Sequence, residues 1–129
     1  MTTRPPAGRV LCVDDEAVIR AVLCDILTDD GFDVRTATNG AAALDLLDSS
    51  AADGWRPDVV LLDINMPVMD GYAFAQAYRE RAGAAPMIVI TAGERLPDAA
   101  ERAGAAAYVA KPFDLDALLD IVRTHQRAA

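Results

Sequence analysis

Four short stretches of the chain carry side chains able to do chemistry together. They are Asp14-Asp15-Glu16, Asp63, Thr91 and Lys111. Carboxylates brought into one cleft repel each other, and burial raises their pKa values. A divalent cation relieves that conflict. An all-oxygen donor set selects a hard ion, Mg2+ before Mn2+, with some of its waters retained. No histidine falls in these stretches, so a zinc centre is disfavoured. A cation, an ammonium and a hydroxyl together form a set that neutralises and hydrogen-bonds phosphoryl oxygens. A carboxylate within that set can itself act as the nucleophile and form an aspartyl phosphate. Each residue alone has a plainer reading: an Asp after a strand is most often a turn or cap, and a Lys-Pro an ordinary loop. The joint occurrence carries the argument.

The elements that must position these residues follow from hydrophobic patterning. Val10–Val13, Val59–Leu62 and Met87–Thr91 are uniformly apolar runs that read as buried strands. Asp33–Ala37 is more polar and reads as an edge strand, and Ala106–Ala110 as a fifth, weaker one. Between them lie helical segments: Glu16–Asp30, stopped by Gly31; Ala41–Asp48, capped by Asn39; Asp70–Arg81; Pro97–Ala103, ended by Gly104; and Leu115–Arg127, capped by Asp114. Ser49–Pro57 reads as a loop from its Ser, Gly and Pro content.

Five strand–helix units in series imply an α/β fold: a doubly wound five-stranded parallel sheet flanked by five helices. The most apolar strands belong at the centre, which fits the flavodoxin-like order 2-1-3-4-5. A dinucleotide fold is disfavoured, because no glycine-rich fingerprint follows the first strand. In sheets of this type ligands bind beyond the carboxyl ends of the strands, at the switch in strand order. Asp14-Asp15-Glu16, Asp63, Thr91 and Lys111 all stand at those ends.

Composition narrows the function further. The chain has 129 residues, 53% of them apolar and 25% charged, as expected of one globular domain. Asp and Glu number 20 against 12 Lys and Arg, a net charge of −8, which argues against direct DNA binding. Eleven of the twelve basic residues are Arg, and Lys111 is the single Lys. Cys12 and Cys24 form no metal or disulfide pattern and read as small buried hydrophobes. No secretory leader or membrane span is readable, so a cytoplasmic domain with a short disordered arm over residues 1–8 is expected. His125, at the end of the last helix, reads as a solvated residue favoured by the helix dipole.

The motifs VDDE (Val13–Glu16), LLDINMPVMDG (Leu61–Gly71), ITA (Ile90–Ala92) and YVAKPF (Tyr108–Phe113) make the chain similar to the receiver domains of two-component response regulators, of the chemotaxis-regulator type. The likeness covers about Arg9 to Arg127. It implies that Asp63 is the phosphoacceptor, and that Asp14 and Asp15, with Asp63 and the backbone carbonyl of Asn65, hold Mg2+. It further implies that Thr91, beside Ala92, is the switch hydroxyl, that Lys111 pairs with the phosphoryl group, and that Tyr108 is the aromatic switch residue. Pro67 and Gly71 shape the loop after the third strand, and Pro112 follows Lys111 through what is a cis peptide in the family.

The resemblance implies a phosphorylation-dependent signalling switch rather than a turnover enzyme. The phosphodonor is a sensor histidine kinase or a histidine phosphotransfer protein. The effector is a protein that reads the surface of the fourth helix, fifth strand and fifth helix. Apart from the resemblance, the sequence is expected to hold a receiver at residues 9–127 and no output domain. The alternative is a receiver-like interaction module independent of phosphorylation; the complete acidic, hydroxyl and lysine set argues against it. An aspartate-nucleophile hydrolase is a further alternative, disfavoured because the first strand ends in DDEA rather than DxDx(T/V). Two departures stand out. Thr91 and Lys111 are 20 residues apart, about two fewer than in the family, and the Ser49–Pro57 loop is longer than usual.

Overall fold

The first strand pairs on both sides, and that arrangement organises the rest of the chain. In a computed structural model, which describes residues 8–81, 83–92 and 95–126, β1 (Arg9–Val13) lies between β2 (Asp33–Ala37) and β3 (Val59–Leu62), and β4 (Met87–Thr91) and β5 (Ala107–Ala110) follow outward from β3. All pairings are parallel, and the sheet order is 2-1-3-4-5. The helices are α1 (Ala17–Asp29), α2 (Gly40–Ser50), α3 (Gly71–Glu80), α4 (Leu96–Ala103) and α5 (Leu115–His125). The expected fold class is therefore the observed one.

Alternation along the central strands divides the core between two faces. Leu11, Val13, Val60, Leu62, Met87 and Val89 pack with Leu44 of α2, Phe74 and Tyr78 of α3, and Ala99 and Ala103 of α4. Val10, Cys12, Val59, Leu61, Ile88 and Ile90 pack with Leu23 and Leu27 of α1 and Leu118 and Val122 of α5. Each large aliphatic side chain buried in this way contributes roughly 1.5–3 kcal/mol. Two helices thus cover one face of the sheet and three the other.

The expected caps form: the Asn39 and Asp114 side chains accept from Ala42 N and Asp116 N. Asp70, expected as the first helical residue, is instead the N-cap of α3 and accepts from Ala73 N. Gly31 and Gly104 take positive φ after α1 and α4. Most helix ends and the start of β5 fall within one residue of expectation, and two ends differ by two residues. Ser49 and Ser50 continue α2, and Ala51–Asp53 forms a 3-10 turn, so the presumed loop is partly helical. Ser50 is buried, and its Oγ accepts from Arg35 Nη1 at 2.6 Å, a tertiary contact that holds the extra turn. The last helix is assigned through His125; Arg127, and residues 1–7 of the expected N-terminal arm, lie outside the described residues.

Trp55 closes the end of the sheet away from the functional strand ends. Its indole N–H donates to Asp33 Oδ2 at 3.0 Å, and the Arg35 guanidinium stacks on its ring. Cys12 is buried as expected, whereas Cys24 is only half-buried on α1; both are free thiols. No helix among the described residues is long and apolar enough to cross a membrane.

Candidate functional site

Backbone bonds carry the sheet one residue past its strands and fix the site. Asp14 N donates to Ala37 O at 3.1 Å, Asp63 N to Val13 O at 2.9 Å, and Lys111 N to Thr91 O at 3.0 Å. Asp14, Asp63 and Lys111 thus follow three different strands at the same end of the sheet, and the β1/β3 neighbours are the switch point of the 2-1-3-4-5 order.

The side chains converge there. Asp14 and Asp63 are 2% and 4% exposed, whereas Asp15 and Glu16 are open to solvent. Carboxylate oxygens of these four residues all lie within 4.8 Å of one another. Lys111 Nζ stands among them, 2.8 Å from Asp14 Oδ2, 2.9 Å from Glu16 Oε1 and 3.3 Å from Asp63 Oδ2. A buried carboxylate pair demands a compensating charge, and the ammonium supplies it. The donor set, all carboxylate oxygen, also fits a hard divalent cation.

The electrostatics follow from this crowding. Burial, then the Asp14 charge, pushes the Asp63 carboxyl up to about 6, although the Lys111 charge and hydrogen bonds from Asn65 N and Lys111 oppose the rise. Burial works against the Lys111 ammonium, but hydrogen bonds to Asp14 and Glu16 and the charges of Asp14 and Asp63 outweigh it, so its pKa stands above the ordinary lysine value.

The loop after β3 wraps the Asp63 side of the cleft. Asn65 N donates to Asp63 Oδ1 at 3.3 Å, and Asn65 Nδ2 donates to Thr91 Oγ1 at 3.3 Å. Thr91 is 1% exposed. Pro67 O accepts from Met69 N at 2.8 Å across Val68, which is held at φ 70°. The loop then turns into α3 at Gly71, whose N–H donates to Ile64 O at 2.9 Å. A Cβ on Gly71 would stand 2.6 Å from Asp63 O, so only glycine lets the helix start against the strand end.

Sequence reasoning thus placed Asp14, Asp15, Asp63, Asn65, Thr91 and Lys111 at one end of the sheet, and they meet there. Ala92 follows Thr91 and is exposed. Pro112 follows Lys111 through a cis peptide bond. Tyr108 lies on β5, paired with Val89 and 45% exposed, outside this cluster of contacts. Glu16 was read as part of the acidic run at the end of β1 and as the start of a helix, with no partner assigned to it. It occupies the N-cap position of α1, but its side chain makes no capping bond and reaches Lys111 instead. The acidic run Asp14-Asp15-Glu16 was the available signal.

Known proteins share this sequence and architecture. The response regulator receiver domain family matches residues 10–123. The regulatory protein AtoC of Escherichia coli K12 is 43% identical over 118 residues, 90% of this chain and 24% of AtoC. The transcriptional regulatory protein PrrA of Mycobacterium tuberculosis is 41% identical over 125 residues, 95% of this chain and 52% of PrrA. The chain therefore spans between about a quarter and about half the length of these relatives. Among solved structures, the chemotaxis protein CheY4 of Vibrio cholerae superposes with a TM-score of 0.78 at 33% identity, covering 92% of this chain and 98% of CheY4. With a matching sequence over most of its length and the same sheet order carrying the acidic cleft, the chain belongs to the receiver domain family of two-component response regulators.

Proposed function

We propose that the chain is a phosphorylation-driven signalling switch that accepts a phosphoryl group on Asp63 from the phosphohistidine of a sensor kinase or histidine phosphotransfer protein. The observation that supports it best is a buried Asp63 carboxylate with Lys111 Nζ at 3.3 Å, inside a cluster of four carboxylates. An Asp63 oxygen attacks phosphorus, the P–N bond breaks, and the imidazole keeps the electron pair and takes up a proton. Asp14, Asp15, Asp63 and the Asn65 carbonyl would hold Mg2+, which when bound neutralises charge on the carboxylates and on the transferring oxygens.

This chain's own residues do the rest. Lys111 pairs with a phosphoryl oxygen, and the Thr91 hydroxyl donates to another. The modification adds about −1.5 to −2 charge, which draws Thr91 inward and opens space for the Tyr108 ring. That movement biases the surface of α4, β5 and α5 toward binding an effector protein. The site works in the cytoplasm as a switch modified once per signal, not as a turnover enzyme.

Incubation with acetyl phosphate and Mg2+ tests the reading by intact mass. One phosphoryl group should add to the wild type and none to Asp63→Asn. Labelling of Asp63→Asn as strong as that of the wild type would overturn it.

A further inference from the structure

The Lys111 ammonium has three N–H donors, and three carboxylates surround it: Asp14 at 2.8 Å, Glu16 at 2.9 Å and Asp63 at 3.3 Å. An incoming phosphoryl oxygen therefore competes with these carboxylates for the donors of Lys111. Asp14 is the closest, and its side chain is 3% exposed. Asp63 is the group that carries the phosphoryl. Glu16 is different: its side chain is 57% exposed, so water can take over its lost hydrogen bond at little cost. Its contact with Lys111 bridges 95 residues of sequence, from the β1–α1 junction to the loop after β5. The Glu16 backbone is fixed as well, because its N–H donates to Asp14 Oδ1 at 2.9 Å.

We propose that Glu16 is a positioning residue for Lys111: it holds the ammonium at the mouth of the cleft in the resting protein and competes with the phosphoryl group for it. The inference rests on the reading that Lys111 meets the phosphoryl group. Glu16 thus sets the threshold of the switch. Its carboxylate is released when Lys111 turns to the modified Asp63, and it recaptures the lysine after dephosphorylation.

The test uses Glu16→Gln in the full chain, which keeps the side-chain shape and removes the charge. Beryllofluoride with saturating Mg2+ serves as the phosphoryl mimic, with affinity measured by calorimetry. Glu16→Gln should bind it about three- to fivefold more tightly, the size of an exposed ion pair, and the gain should shrink as salt is raised. Lys111 is the single lysine, so isotope-labelled lysine gives one side-chain NMR signal. In unliganded Glu16→Gln that signal should move toward its beryllofluoride-bound position. Equal or weaker binding by Glu16→Gln would overturn the proposal. So would a large loss of affinity for Mg2+ alone, which would assign Glu16 to the cation. Lys111→Ala separates the two levels: wild-type beryllofluoride affinity in that variant would sink the phosphoryl role of Lys111 itself. Weak binding by Lys111→Ala without a gain in Glu16→Gln would sink only the competition.

Discussion

The Asn65 side-chain amide donates to the Thr91 hydroxyl at 3.3 Å, joining the loop after β3 to the end of β4 across the cleft. This contact holds the hydroxyl of a residue that is 1% exposed, and that hydroxyl must turn if it is to meet a phosphoryl oxygen. Thr91→Ala should weaken beryllofluoride binding about tenfold or more, the worth of a hydrogen bond to a charged group. Thr91→Ser should stay near wild type. Asn65→Ala combined with Thr91→Ala should cost no more than Thr91→Ala alone, because the amide acts on this step through the hydroxyl. Calorimetry on the wild type, Asn65→Ala, Thr91→Ala and the double variant checks the cycle, with Thr91→Ser as a fifth protein.

The ionised Asp63 carboxylate works against folding at neutral pH. Its carboxyl is raised from 3.8 to about 6 by burial and by Asp14, so the folded chain holds that proton more tightly than the unfolded chain does. The Asp63 contribution to stability is therefore fully present below about pH 4 and is lost as pH rises through about 6. In EDTA at neutral pH, Asp63→Asn should be more stable than wild type by about 1–3 kcal/mol. The gap should close toward about pH 4. Urea unfolding across this range measures it, and a gap that widens toward acid would contradict the assignment.

Lys111→Arg tests whether a compact ammonium is required. The guanidinium is planar and spreads its donors in a fork, whereas the native Nζ meets three carboxylates within 3.3 Å at one point. The variant should fold with wild-type circular dichroism but accept phosphoryl from acetyl phosphate more slowly. Wild-type phosphorylation and signalling would show that any cation suffices there.

Val68 carries local strain. It is a β-branched residue at φ 70° and 85% exposed, so replacing it loses little packing. Left-handed backbone costs such a residue roughly 1–2 kcal/mol, and Asn tolerates it better. Val68→Asn should therefore raise stability by about 1 kcal/mol in denaturant unfolding, with unchanged phosphorylation of Asp63.

Much of this was readable in the sequence because the deciding signals are local. The apolar runs of β1, β3 and β4, the caps Asn39 and Asp114, and the stops Gly31 and Gly104 each state their element within a few residues. Asp63 and Lys111 could be placed because strand ends fix where a side chain goes. The extra turn of α2 was not readable, since Ser49 and Ser50 favour loops, and the contacts that tie Ser50 down, from Arg35 Nη1 and Trp55 N, come from elsewhere in the fold. Nor was the Glu16–Lys111 pair, because its partners lie 95 residues apart and strand ends place residues in one cleft without saying which side chains touch.

The single tryptophan, anchored to Asp33 and Arg35, sits at the pole of the sheet opposite the single lysine, Lys111. The chain thereby contains two intrinsic reporters with separate fields of view. Trp55 emission follows the folding of the distal pole and should stay silent when the acidic cleft is occupied. The lysine side-chain signal follows the cleft and nothing else. Recorded together in one sample, they distinguish a variant that damages the switch from one that loosens the scaffold.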